Sequence, residues 1–316
     1  MKKFILLMVL WVMYTFTSFA YSETKVINIG YQKANILALL KYRGTLEPVF
    51  KEYNVNVRWI EFPAGPQMLE GLNIGSIDLA ATGDAPPIFA QAAQADFVYL
   101  GHSPSNPQSE AIVVPKNSPI QSVSDLKGKR VALNKGSDVN YLLVAALQRA
   151  GLKYNEITPV YLPPSDARVA FEQGAVDAWA IWDPFLAEVE TSLPVREIVN
   201  GENLASHYTF FLASRQFAEK QPQYAEAIIT QLSQQSEWAN ANPQETAAIL
   251  SASTGLDKKI WLKALQRTNY GFIRMSDSAF LEQQNIANIF AKIRLIPVAI
   301  DVKKAQWKVE ANANKA

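Results

Sequence analysis

Apolar positions along the chain fall into short strand-like runs separated by stretches of helical period. Val26 to Tyr31 is a β-branched run closing on Gly30-Tyr31-Gln32, and the apolar spacing from Ile36 to Leu46 predicts a helix. Val55 to Phe62 alternates as a strand does and Pro66 to Asn73 reads as a helix. Ile77 to Ala81 follows as a strand, Pro86 to Ala93 as a helix and Phe97 to Leu100 as a fourth strand. Strands alternating with helices predict βαβ units and a mostly parallel sheet.

Turn formers crowd Gly101 to Ser109, and the pattern restarts after them. Glu110 to Pro115 is a strand, Ser124 to Arg130 a short helix and turn, Val131 to Asn134 a strand and Val139 to Ala150 a helix. Val160 to Leu162, Asp166 to Gln173 and Asp177 to Ile181 then give strand, helix and strand. The chain crosses back between Val195 and Ala213, through a strand at Tyr208 to Ala213. Beyond Arg215 the period is helical, in pieces at Pro222 to Asn240, Pro243 to Leu250, Asp257 to Thr268 and Ser276 to Ile293. Pro222 and Pro243 sit at helix starts, where a missing amide does no harm. Crossings near 102–109 and 202–210 predict a two-strand hinge, with closure around a ligand as its motion.

One motif occurs twice, 99 positions apart and without a gap. Gly75, Asp78 and Asp84 of the first copy match Gly174, Asp177 and Asp183 of the second, with Leu72/Phe171 and Ile77/Val176 in register. Each copy reads helix, Gly turn, apolar strand, polar turn, new helix, and ligands of open α/β sheets collect outside the carboxyl ends of such strands. Two lobes presenting matching turns across a cleft make a clamp.

A length of 316 residues suits two such lobes. The chain holds 30 basic and 29 acidic residues with no long basic run, which excludes the electrostatic footprint of a nucleic-acid binder. Lys2 and Lys3, the apolar run Phe4 to Val12 and Ser18-Phe19-Ala20 have the layout of a signal peptide. This predicts export. The chain contains no cysteine, which removes thiol nucleophiles and Cys-ligated metals, and His102 and His207 read as structural rather than metal-ligating.

The blocks Gly30-Tyr-Gln-Lys33, Glu61-Phe-Pro-Ala-Gly-Pro-Gln67, Thr82-Gly-Asp-Ala-Pro-Pro-Ile-Phe-Ala-Gln-Ala92, Val131-Ala-Leu-Asn-Lys-Gly-Ser137, Tyr161-Leu-Pro-Pro-Ser-Asp-Ala-Arg168 and Ala180-Ile-Trp-Asp-Pro-Phe185 resemble the signature blocks of aliphatic sulfonate-binding proteins, in order, from Val26 to Trp307. The resemblance implies the α/β, two-lobe, type II-like periplasmic binding protein fold, each lobe a mostly parallel sheet flanked by helices. Its parts would be a signal peptide at 1–22, lobe one at 23–104, lobe two at 105–204, and a mainly helical return to lobe one at 205–316. It implies a monomeric periplasmic protein without cofactor or metal that hands a sulfonate to the membrane permease of an ABC importer for sulfur acquisition. Taurine, nitrate or another small oxyanion is the alternative ligand. An exported cysteine-free enzyme acting on a small anion is the alternative from another class. The family pattern has Glu where this chain has Asp84; the shorter side chain either enlarges the pocket or acts only as a cap.

A sulfonate is a monoanion whose three oxygens only accept hydrogen bonds, so its receptor needs convergent donors, such as helix N-termini supply. The candidates are Gly136, Ser137 and Asp138, where strand Val131 to Asn134 passes into a helix, with Thr82 and Gly83 on the matching turn and Gln32 at the end of the first strand. Ser137 reads equally as a plain N-cap. Trp182 stands where the first copy has Gly83 and would form an apolar wall for an alkyl chain. Asp84 and Asp183 read first as N-caps before a first-turn proline; facing the ligand, they would favour an amino-bearing sulfonate. His102 and Tyr208, at the predicted hinge, would line the back of the cleft. Lys33, Lys135 and Arg168 could help attract an anion but read first as solvated charges.

Overall fold

The computed structural model describes residues 25–33 and 35–308; the signal-peptide segment and the end of the tail lie outside them. Strand β1 (Lys25–Tyr31) leads through Asn35, whose side chain accepts from the amides of Leu37 and Ala38, into helix α1 (Ile36–Arg43). Ile36 to Leu40 are all buried, so the helix is apolar on every side until Lys41 and Arg43 in its last turn. A short helix α2 (Glu47–Lys51), absent from the sequence reading, precedes β2 (Val55–Glu61), α3 (Gly65–Asn73), β3 (Leu79–Thr82), α4 (Ala85–Ala92) and β4 (Phe97–His102).

Beyond the crossing come β5 (Glu110–Pro115), β6 (Arg130–Leu133), α5 (Asp138–Arg149), β7 (Thr158–Tyr161), α6 (Pro164–Glu172), β8 (Ala178–Trp182), α7 (Phe185–Ser192) and β9 (Val195–Asn200). The return supplies β10 (Phe210–Ser214), α8 (Arg215–Lys220), α9 (Pro222–Ala241), α10 (Pro243–Thr254), α11 (Lys258–Leu265), β11 (Ile273–Arg274) and α12 (Asp277–Lys292).

The strands form two sheets, ordered β11-β4-β10-β3-β1-β2 and β7-β6-β8-β5-β9. β1 pairs parallel with β2 and β3, as β6 does with β7 and β8. Both sheets are nevertheless mixed rather than mostly parallel: β10 runs against β3 and β4, β11 against β4, and β5 against β8 and β9. β10 comes from the returning chain, so the first sheet is completed only after the second lobe has been traversed. Its pleat sends Phe211 and Ala213 into the core under α1 and α8–α11, and Phe210 and Leu212 into the core under α3, α4 and α12. The second sheet has its own core around Trp179, Leu142 and Leu147. β9 escaped the sequence reading because its residues are mostly half-buried and show no clean alternation.

The duplicated motif is one device built twice. Gly75 and Gly174 both take a left-handed turn, with φ of +73° and +67°, which suits a residue without Cβ. Three residues later the Asp78 amide donates to the Asn28 carbonyl at 2.7 Å and its carboxylate accepts from the Asn28 amide at 2.8 Å. Asp177 repeats both bonds with Arg130, at 2.8 and 2.7 Å. Each aspartate thereby ties the residue before the motif's strand to the neighbouring parallel strand.

The two crossings run side by side. The Ser103 amide donates to the Thr209 carbonyl at 2.8 Å, the Thr209 amide to Ser103 Oγ at 2.9 Å and the Asn106 amide to the Ser206 carbonyl at 3.0 Å.

Candidate functional site

A cleft opens between the lobes at the carboxyl ends of β1, β3 and β8. Lobe one contributes Gln32, Asn35, Thr82 and Gly83; lobe two contributes Asp138, Trp182 and Asp183. The floor comes from the crossings, through Ser103, Asn106, Ser109, His207 and Thr209, and one flank from Thr268 to Gly271 after α11. A second hollow, lined by Phe62, Pro63, Pro163, Pro164 and Phe185, continues outward and shares Gln32, Trp182 and Pro184 with the cleft. Trp182 is 8% exposed and packs edge-on to Phe185, with centroids 6.1 Å apart. One wall is thus apolar, and the Thr82-Gly83 turn at the entrance to α4 is polar.

Of the sequence candidates, Gln32, Thr82, Gly83, Asp138, Trp182 and Asp183 therefore meet at one surface. The others stand behind it. The Gly136 amide, which was to face the cleft, donates to Asn140 Oδ1 at 3.0 Å, and the Ser137 hydroxyl donates to the Asn134 carbonyl at 2.7 Å. His102 is buried against Tyr208, ring centroids 4.7 Å apart, with Nδ1 2.7 Å from the Ser103 carbonyl, and burial lowers its pKa. Asp84 precedes α4 but its side chain makes no capping bond; it is 1% exposed and its Oδ1 has no hydrogen-bond partner. Asp183 does cap, accepting from the Ala187 amide at 3.0 Å, and also pairs with Arg267 through bonds of 2.8 and 2.9 Å.

The charge of the cleft is concentrated at its back. His207 Nδ1 lies 2.8 Å from Glu110 Oε2, with the Glu110 side chain fully buried. Burial works against the imidazolium, but Glu110, Asp138 and Asp84 outweigh it and raise the His207 pKa to about 10. Burial pushes the Asp138 carboxyl up to about 6, with His207 pulling it down and Glu110 pushing it further up. Asp84 is raised well above the carboxylate range, first by burial and then by Asp138 and Glu110. At neutral pH His207 is thus a fixed cation, beside Asp84 and Asp138 whose carboxyls burial has pushed up. Sequence reading missed His207, which lies in an irregular crossing at φ +48° and finds its partner far along the chain.

Two lobes joined by paired crossings around such a cleft define a periplasmic binding protein fold. A family model described as NMT1/THI5 like matches residues 49–246. An Escherichia coli (strain K12) relative named for aliphatic sulfonate binding is 42% identical over 297 residues, covering 93% of this chain and 92% of its own. The chain belongs to the NMT1/THI5-like family, on the branch of the aliphatic sulfonate-binding proteins.

Solved structures agree. The alkanesulfonate-binding protein SsuA of Xanthomonas axonopodis pv. citri, bound to MOPS, has a TM-score of 0.86 at 39% identity, covering 90% of this chain and 98% of its own. The periplasmic aliphatic sulphonate binding protein SsuA of Escherichia coli has a TM-score of 0.83 at 40% identity, covering 92% and 95%.

Proposed function

We propose that this protein captures aliphatic sulfonates in the interlobe cleft by hinge closure in the periplasm, and delivers them as a monomer to the permease of an ABC importer. The carrying observation is the pairing of jaws in a chain of this family. The Thr82-Gly83 turn, at the entrance to α4, faces the Trp182 wall, so an anionic head and an apolar tail each meet a matching surface. The outward hollow between Phe62, Pro163 and Phe185 gives a tail room to extend. Binding and release involve no chemical change in the ligand.

The carboxyl of Asp138, which lines the cleft, favours a second ligand, an amino-bearing sulfonate such as taurine. A thermal-shift screen of methanesulfonate, longer alkanesulfonates, taurine, sulfate and nitrate separates these, because a ligand at about 100 times its Kd adds about 2.7 kcal/mol to native stability. Stabilisation by nitrate with no response to any sulfonate would refute the assignment. Turnover of the bound ligand would make the protein an enzyme.

A further inference from the structure

The turn that would receive a sulfonate head is already in contact with an anion of the protein itself. A Cβ built on Gly83 would lie 1.8 Å from Asp138 Oδ1 and 1.9 Å from Asp138 Cγ, so the carboxylate of the opposite jaw rests directly on the bare backbone of this turn. Asp138 is the first residue of α5 and reaches across the cleft towards the first turn of α4, where the Ala85 amide favours its charged form. Its Oδ1 is buried without a hydrogen-bond partner, as is Oδ1 of Asp84 beside it.

Building on the sulfonate reading above, we propose that a sulfonate binds here by displacing the Asp138 carboxylate from Gly83, and that Asp138 takes up one proton from solvent as the ligand enters. Both anions compete for the bare Gly83 turn and the Ala85 amide, since Pro86 and Pro87 leave the rest of the first turn of α4 without donors, and the competition has one chemical outlet. A sulfonate stays ionised at any biological pH, whereas a carboxylate beside a second anion can accept a proton.

The groups around Asp138 leave it little other relief. Asp84 faces it from the turn before α4, Glu110 from the start of β5 and His207 from the return crossing, with Glu282 of α12 bearing on Asp84 and Tyr141 of α5 alongside. His207 carries the only positive charge among these groups and is already engaged by Glu110 at 2.8 Å. The Asp138 carboxyl titrates at about 6, so above that pH the free protein holds it largely charged and the proton must come from outside.

Titration calorimetry with methanesulfonate, in two buffers of different ionisation enthalpy, counts protons taken up. Near pH 7 the wild type is expected to take up close to one proton, and its Kd to rise roughly tenfold per pH unit above about pH 7. Asp138→Asn is expected to bind with no proton uptake and a flat pH profile. Asp84→Asn, which alters the coupled neighbour, is expected to retain uptake. Tight methanesulfonate binding by the wild type without proton uptake overturns the proposal, and so does uptake that survives in Asp138→Asn. The wild-type proton count decides the matter even if a variant misfolds. Absence of binding by any sulfonate across about pH 5 to about pH 8 refutes the sulfonate reading itself, and this proposal with it.

Discussion

Arg267, in the loop after α11, clasps Asp183 at the end of β8 with two hydrogen bonds of 2.9 and 2.8 Å, and so joins the helical return to the second lobe. A third bond at 3.0 Å ties the same guanidinium to Glu190. Only 14% of the Arg267 side chain and 6% of that of Asp183 is exposed, so solvent screens the pair weakly. Replacing Arg267 with Ala leaves a buried carboxylate unpaired, which costs about 3–5 kcal/mol. Urea unfolding is expected to show that loss; a change within the usual surface range would mean that the clasp adds nothing.

Trp182 touches both the cleft and the outward hollow. Trp182→Ala removes a ring from a nearly buried site, with a stability loss of about 3–5 kcal/mol. Affinity for long-chain sulfonates is expected to fall further than affinity for methanesulfonate. Equal losses for both would show that the ring acts as core and does not touch the tail.

At Gly83 the prediction concerns space. An added methyl would overlap the Asp138 carboxylate, the mobile end of a side chain, so the carboxylate moves away and the backbone holds. Gly83→Ala is expected to keep its unfolding temperature near that of the wild type while weakening methanesulfonate by tenfold or more, about 1.4 kcal/mol. Fluorescence titration at fixed pH measures the change, and unaltered affinity would remove Gly83 from the binding surface.

Stability should depend on pH through His207. Its folded pKa of about 10 lies above the ordinary imidazole value of about 6.5. The contribution is therefore complete below about pH 6.5 and disappears as pH rises towards about 10. Asp138 acts in the same direction, since its raised pKa means that stability falls as pH climbs through about 6. Thermal unfolding is expected to move to lower temperature from mildly acidic to alkaline pH, with a shallower slope for His207→Gln. Parallel slopes for both proteins would contradict the buried ion pair.

Much of the scaffold is legible in the sequence because its signals are local. The β-branched run at Val26 to Tyr31, the proline starts of α9 and α10, and the turns at Gly75 and Gly174 each carry their own physics. The cleft is legible where it follows from strand ends, as at Gln32, Thr82 and Trp182. It is illegible where long-range packing decides. The Gly136 amide is taken by Asn140, a buried residue in the first turn of α5, and the Ser137 hydroxyl turns back to Asn134. His207 and Glu110 meet only when the returning chain reaches the start of β5. The reversed course of β10 likewise depends on contacts far apart in the chain.

The aspartate locks at Asp78 and Asp177 separate folding from recognition. Each fixes the alignment of its own lobe's strands through bonds to Asn28 or Arg130, on residues that the cleft does not use. The residues that line the cleft can therefore be exchanged without touching these bonds. A designer could vary the cleft at Gln32 and Thr82 and leave both locks in place.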